Sequence, residues 1–592
     1  MCLFITSSLL TCVAGAVDQP VEGDYESGEL LFRFDKDESR IPDGMSDESY
    51  FEDRLASLGI DSITPVIVED DEDGVLYRAQ INGDVAKTCR ILDGVYGVEY
   101  AEPNYICYTD TVELPGEITT SGNLYHNYMS WYFEDIMHIP QAWQTYDTVG
   151  SGVTVAVIDN GFYLSANDFP VNLWSDANGN HGWNTADNNN DISPIMKSDN
   201  SGYISDASHG SNVAGIIGMA ANGLNGVGGA YGADLMLLKA AHYVSDTAKS
   251  GFRIDSLVAA LQYAVNNGAD IVNMSLGSTV YSKALREQVQ KTYNAGVAIF
   301  ASAGNGIYNE DAGMNYGMPT TTNPSYPGAD SNCIGVMAID KTDPTQLSVF
   351  SNYDNLGGFY DVAAPGVAIV GCVAGSGIGA MSGTSQATPL VAACAALYLS
   401  IYPTVTNAQL YAAVRNSPTR TVTSNQTVDP GCTATFKILD AVELLEYGAV
   451  KPEINVNYST SCTLDNNRGY IYGLDERYTD ITDYVTVTPG TGTMLLVRTA
   501  IGYGTGSVLN IYKKSGELYR SYQVIIFGDL NGDTIADGCD AVVLSCILDD
   551  PTAYEDNIKF AADVSFDDVV TEFDREYIFN YAIGLESIFQ SR

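Results

Sequence analysis

The spacing of apolar and polar positions changes character along this chain, and each change marks a different kind of element. Over residues 28–108, Glu29-Leu30-Leu31-Phe32-Arg33-Phe34 alternates as a strand. Residues 49–58 read as a short helix, 63–68 and 76–81 as strands, 85–92 as a helix and 95–100 as a last strand, a β-α-β-β-α-β order. Further on the runs become wholly apolar: Val155-Ala156-Val157-Ile158, Ile271-Val272-Asn273-Met274 and Val297-Ala298-Ile299-Phe300. Continuous runs of this kind mark strands buried on both faces of a parallel sheet, which predicts an α/β fold. Residues 387–399 form an alanine-rich helical stretch, 436–441 lead into a helix to about Gly448, and Lys451-Pro452 breaks it. From 454 to 527 short alternating runs of Tyr, Thr, Val and Gly predict a small all-β module, with Lys513-Lys514-Ser515-Gly516 as a hairpin turn. Residues 541–548 and 575–583 then predict two helices.

These changes divide the chain into 28–108, 125–449, 452–527 and 528–585, as 592 residues require when domains run about 50–250 residues. Ahead of them, residues 3–10 are apolar and Ala14-Gly15-Ala16 offers a small-residue cleavage site. Residues 1–16 therefore read as a signal peptide and the mature protein as secreted, although no Lys or Arg precedes the apolar stretch. No later run of 18 wholly apolar residues appears, so no integral membrane span is expected. A formal charge of −46, from 28 basic and 74 acidic residues, argues against nucleic acid or an anionic membrane as partner. It suits an extracellular protein with bound cations, and 45% hydrophobic content argues against disorder. Of eleven cysteines, none shows metal-like spacing, and Cys2 and Cys12 go with the signal. The nine that remain cannot all pair within one chain, and Cys394 reads as a buried small hydrophobe.

Four polar residues sit in contexts that give each a chemical role. Asp159 ends an apolar run, at the carboxyl end of a strand where open α/β sheets bind ligands. His209 opens His209-Gly210-Ser211-Asn212-Val213-Ala214-Gly215. Ser385, in Gly383-Thr384-Ser385-Gln386-Ala387-Thr388-Pro389, precedes the alanine-rich helix, whose N-terminus favours developing negative charge. A serine hydroxyl needs a base within reach, imidazole titrates nearest neutrality, and a carboxylate fixes its tautomer and stabilises the imidazolium. Asn305, in Ala301-Ser302-Ala303-Gly304-Asn305, carries an amide that can donate to the oxyanion of a tetrahedral intermediate. Each signature alone is weak; the chain order Asp, His, Ser together with Asn305 reads as a serine hydrolase.

Over about residues 131–448 these signatures resemble the subtilisin-like (subtilase) serine endopeptidases, which implies a mostly parallel sheet flanked by helices. By that resemblance Asp159, His209 and Ser385 are the triad and Asn305 the oxyanion donor. Ser275, Leu276 and Gly277 would pair with an extended protein or peptide substrate, and Ser302, Ala303 and Gly304 would wall the pocket for the residue before the scissile bond. The chain departs from the family at Asn212, where a second histidine is usual, and at Gln386, where methionine usually follows the serine. The loop 306–333 has no clear match, which leaves residue preference open. Asp168 falls where the family places a calcium-binding aspartate, with Asn222 as another ligand. Residues 28–108 resemble the ferredoxin-like subtilase propeptide, including the ending Val98-Glu99-Tyr100-Ala101-Glu102-Pro103-Asn104-Tyr105. That segment assists folding and covers the active site, and self-cleavage is expected between about Tyr108 and Tyr125; the alternative is a permanent accessory domain.

The C-terminal segment carries a second constellation. Asp529, Asn531, Asp533, Asp537 and Asp540 place oxygen donors at loop positions 1, 3, 5, 9 and 12, with the Ile535 carbonyl at 7. Thr534 stands where glycine is usual. A second copy begins 34 residues later with Asp563, Ser565, Asp567, the Val569 carbonyl, Thr571 and Asp574. Two loop–helix units resemble a dockerin, which implies two calcium ions here and a cohesin-type scaffold protein as partner; the subtilase resemblance at Asp168 and Asn222 offers a place for one more in the catalytic domain. Gly538, Cys539, Glu572 and Phe573 stand at the partner-reading positions; the alternative is a solvated acidic tail. The expected protein is a secreted, self-processed serine endopeptidase docked through its C-terminus. The competing reading is a catalytically silent docked binding or scaffold protein.

Overall fold

The structure, a computed structural model, describes residues 24–34, 55, 58, 60–66, 74–95, 97–109, 128–166, 168–195, 206–223, 225–244, 249–309, 314–373, 377–425, 433–449, 451–457, 459–475, 478, 480–500, 502–513, 516 and 518–590. The signal peptide, most of the 49–58 helix and nearly all of the expected self-cleavage window lie outside the described residues. The chain divides into two compact units, residues 1–400 with 418–441, and residues 401–417 with 442–592.

The first unit is organised around seven parallel strands. In spatial order they are Val362–Pro365, Ile334–Ile339, Ala298–Ser302, Ile271–Met274, Thr154–Asp159, Asp234–Lys239 and Gly182–Asn184. Their side chains are almost all buried, which is why the sequence shows apolar runs instead of alternation. The run from Ile271 to Gly277, read as one strand, splits: Ile271–Met274 lies in the parallel sheet, and Leu276–Gly277 turns away to pair elsewhere. Helix Thr384–Ile401 begins three residues earlier than the expected 387, which brings Ser385 into its first turn. It is the one helix among the described residues long and apolar enough to cross a membrane, and 83% of it is buried inside the fold.

Strands Ile60–Pro65, Val75–Ile81, Tyr25–Phe34 and Val98–Thr109 lie side by side, antiparallel, and helix Val85–Leu92 is capped by Asp84. The alternating pattern of the first strand predicts one buried face, yet Leu30 to Phe34 is buried throughout. Two cores explain this. Leu30, Phe32 and Phe34 pack with Leu92 in the segment's own core, while Leu31 joins the core containing Leu257 and Met274. The last strand also runs nine residues beyond the expected end at Tyr100, and its extension pairs with Lys249–Arg253 on one side and Leu276–Gly277 on the other.

In the second unit, a five-stranded sheet runs in the order Thr463–Asp465, Tyr470–Tyr472, Leu518–Val524, Val508–Lys513, Gly492–Val497. Helices Gly538–Asp549, Asp556–Ala562 and Glu572–Ala582 follow. Tyr470, Tyr472, Ile525 and Phe527 share one core with Leu530, Leu544, Ile547 and Ile578, and Phe527 meets Phe566 edge to face. All eight cysteines among the described residues are free thiols, and Cys394 is buried as its context predicts.

Candidate active site

Asp159 ends the parallel strand Thr154–Asp159, and His209 opens helix His209–Gly218. The His209 Nδ1 lies 2.7 Å from Asp159 Oδ1, with both side chains buried. Close approach of strand end and helix start is possible because residue 210 is glycine: a Cβ there would lie 2.6 Å from the Gly161 carbonyl oxygen and 3.0 Å from the Asp159 Cβ. Asn160 completes the corner, its side-chain oxygen accepting the Gly210 N–H at 3.0 Å. With Nδ1 held by a carboxylate, the other ring nitrogen is the one available for proton transfer.

Ser385 is coupled to the strand break at Ser275 by two reciprocal bonds. Ser385 Oγ donates to the Ser275 carbonyl at 2.9 Å, and Ser275 Oγ donates to the Ser385 carbonyl at 2.8 Å. The second bond has a covalent cause. Pro389, four residues on, has no N–H, so the Ser385 carbonyl lacks its normal helical donor. Ser275 supplies the missing one. The sequence signal for this role is Pro389 itself, four residues after the serine; sequence reasoning gives Ser275 only a part in strand pairing.

Asn305 accepts the Thr384 N–H at 2.9 Å and the Thr384 hydroxyl at 3.0 Å through Oδ1. Its buried Nδ2 has no protein partner among the described residues, so this donor is held by Thr384, one residue from Ser385, and is uncommitted. Ser302, Ala303 and Gly304 lead directly into it. Ser302 Oγ donates to the Leu276 carbonyl at 3.4 Å, and Asn352 holds the Ala303 carbonyl at 2.9 Å. The predicted substrate strand is paired: Leu276 lies opposite Thr109 and Gly277 opposite Tyr108, while Ile106 and Cys107 pair with Arg253 and Phe252. Residues 106–109 thus run as a strand between two strands of the catalytic region. Glu102 anchors the same segment: its carboxylate accepts the Ser282 hydroxyl at 2.6 Å and the N–H groups of Lys283 and Ala284 at 2.9 and 3.2 Å.

Asp168 and Asn222 meet, with Asn222 Nδ2 donating to Asp168 Oδ1 at 2.7 Å; Asn225, which the sequence does not single out, donates to Oδ2 at 2.7 Å. Both oxygens of that buried carboxylate thus have protein donors. In the first C-terminal loop Asp529 accepts N–H groups from Gly532, Asp533 and Thr534, and Asp540 from Leu530, Asn531 and Asp537. The second loop repeats the scheme: Asp563 accepts from Asp567 and Asp568, and Asp574 from Ser565 and Thr571. Loop positions 4 and 6 are left-handed in both copies, at Gly532 (φ 82°) and Thr534 (81°), then Phe566 (61°) and Asp568 (69°). Thr534 therefore makes the turn usually given to glycine. Asn531 and Asp533 contact each other at 3.1 Å, Ser565 contacts Asp563 at 3.3 Å, and the Ile535 and Val569 N–H groups bond Asp533 and Asp567. Among the described residues no three His, Cys, Asp or Glu side chains converge as a metal cluster.

A parallel sheet with an acid at a strand end, a base and a serine at two helix starts and a buried asparagine amide defines a class that likeness to known proteins then specifies. Residues 150–435 match the subtilase family, and the chain belongs to that family. It is 33% identical over 261 residues to subtilisin from Bacillus pumilus, an alignment covering 44% of this chain and 82% of that one. Over the same length it is 33% identical to subtilisin NAT from Bacillus subtilis subsp. natto, of which it spans 59%. The crystal structure of fervidolysin from Fervidobacterium pennivorans, described as a keratinolytic enzyme related to subtilisin, superposes with a TM-score of 0.53. That match has 21% identity and covers 74% of this chain and 64% of that one, a likeness of fold.

Proposed function

We propose that the chain is a secreted serine endopeptidase made as a self-inhibited proenzyme. The observation that carries the reading is the buried Asp159–His209 pair at 2.7 Å together with the uncommitted Asn305 amide next to Thr384-Ser385. In this mechanism Ser385 Oγ leaves the Ser275 carbonyl and passes its proton to His209 as it attacks the peptide carbonyl carbon. Such bonds often tighten only once substrate is bound. The oxyanion receives the Asn305 Nδ2–H and the Ser385 backbone N–H at the start of the helix. His209 returns the proton to the leaving amine, and water then hydrolyses the acyl-enzyme by the same route.

The pairing of Tyr108 and Thr109 with Leu276–Gly277, and of Ile106 and Cys107 with Arg253 and Phe252, supports the propeptide reading, because it fills the track an extended substrate would occupy. The repeated backbone of the two C-terminal loops supports a dockerin-like module with one calcium in each, and the hard oxygen donors fit that ion. Asp529, Asn531, Asp533, Ile535, Asp537 and Asp540 would hold the first, and Asp563, Ser565, Asp567, Val569, Thr571 and Asp574 the second. Bound calcium would neutralise the loop carboxylates. Docking to a cohesin-type scaffold protein rests on this module. A third calcium at Asp168 and Asn222 requires the two asparagine amides to turn their oxygens inward.

The competing reading is a docked scaffold protein with a silent protease fold, and the Ser385–Ser275 bond is the observation on its side. A fluorophosphonate probe separates them. The mature protein should label at Ser385 and Ser385→Ala should not; equal labelling of the two sinks the enzyme reading.

A further inference from the structure

The two positions at which this chain departs from its family's signatures touch each other. Asn212 lies one helical turn beyond His209 in His209–Gly218, and Gln386 directly follows Ser385 in Thr384–Ile401. Gln386 Nε2 donates to Asn212 Oδ1 at 3.3 Å, and both side chains are fully buried. Asn212 is fixed from its other side. Its Nδ2 donates to the Gly379 carbonyl at 3.5 Å, and Gly371 packs so close that a Cβ there would lie 2.6 Å from Nδ2. Gln386 is fixed through its backbone, whose N–H bonds the Gly383 carbonyl at 3.1 Å.

We propose that Asn212 and Gln386 form a positioning pair that sets the separation of the helix carrying the base from the helix carrying the nucleophile. This rests on reading His209 and Ser385 in those roles. Ordinary packing would favour an apolar side chain at residue 386, since the amide leaves its Oε1 buried with no partner among the described residues. Keeping a polar group at that cost is consistent with a need for its other end, the N–H that reaches Asn212. The bridge sits where precision matters. Ser385 Oγ rests on the Ser275 carbonyl, so reaction requires a short swing of the hydroxyl toward the imidazole, and that swing succeeds only if the two helices stay in place. A misplacement of about 1 Å can cost about 100-fold in rate.

The test uses Gln386→Leu, Asn212→Leu and the double variant in the full-length, self-processed protein. kcat and KM are measured on a chromogenic peptide and expressed per active site titrated with fluorophosphonate. Each single variant should lose about 10- to 100-fold in kcat with KM changed less than about threefold, and the double variant should be no worse than the worse single. An unchanged kcat per titrated site in Gln386→Leu, with or without a lower Tm, overturns the proposal, as do losses that multiply in the double variant. If Gln386→Leu gives no folded protein, Gln386→Met, of similar volume and also without the amide, is read by the same criteria. Failure of the unmodified protein to label at Ser385 instead removes the enzyme reading and this inference with it.

Discussion

Asn305 divides its amide: Oδ1 holds the start of the helix that carries Ser385, and Nδ2, buried and without a protein partner among the described residues, is the donor proposed to meet an oxyanion. Asn305→Ala should therefore lower kcat by about 10²–10³ and leave KM within a few-fold, measured by steady-state hydrolysis of a peptide substrate. That magnitude, about 2.7–4 kcal/mol, is the value established for the oxyanion-hole asparagine of subtilisin, and the expectation here is borrowed from that enzyme. A rise in KM with kcat intact would show that the amide binds ground-state substrate instead. At this scale the sequence is most legible where chemistry demands a residue type next to a structural signal. Asp159 at a strand end and Ser385 before a helix are such cases. Asn225, and the partnership of Ser275 with Ser385, emerge in the folded chain, because each joins residues far apart in sequence: Asn225 to Asp168 over 57 positions and Ser275 to Ser385 over 110.

Among the elements, strand Val98–Thr109 does more than its sequence suggests. The pattern predicts a strand over 95–100, which covers only the first three residues of this element; the rest extends because two catalytic-region strands supply partners. Glu102 fixes its register by capping helix Lys283–Asn294 from outside that element. Loss of a cap typically costs about 0.5–2 kcal/mol. Glu102→Ala should then weaken inhibition of the mature protease by the N-terminal segment by about 2- to 30-fold, read as Ki with the segment added in trans. Burial raises the Glu102 carboxyl above its ordinary range despite three donors. A pKa raised in the complex makes the contact strongest below the ordinary glutamate value of about 4.3 and weaker as pH rises through the bound value. Glu102→Gln should flatten that dependence. Ki that falls with rising pH in the unmodified protein would contradict the assignment.

For the molecule as a whole, 74 acidic residues against 28 basic ones oppose compaction through self-repulsion, and bound cations are the natural remedy. The sequence divides residues 452–527 from 528–585 by a change of pattern, and that division is where periodicity says least, because it reports each element's exposed face and not what covers the other one. Here the sheet and the loop–helix units share a core, and the contact reaches the first loop itself. The Thr505 N–H donates to Asp529 Oδ2 at 2.9 Å, and a Cβ on Gly504 would lie 2.1 Å from that oxygen and 2.6 Å from the Gly532 carbonyl carbon. Calcium affinity of the first loop should therefore depend on a turn in the β module. We expect two calcium ions in the C-terminal loops of the Ser385→Ala chain by calorimetric titration. Gly504→Ala should lose one of the two sites and keep the other, because the N–H groups that hold Asp563 and Asp574 come from Ser565, Asp567, Asp568 and Thr571 of the second loop itself. Calcium held at 100 times its Kd stabilises a site by about 2.7 kcal/mol, so chelation should lower the melting of sheet and loops together. A Gly504→Ala titration identical to that of the parent, or a sheet transition indifferent to chelation, would separate the module from the loops and return the boundary to Phe527.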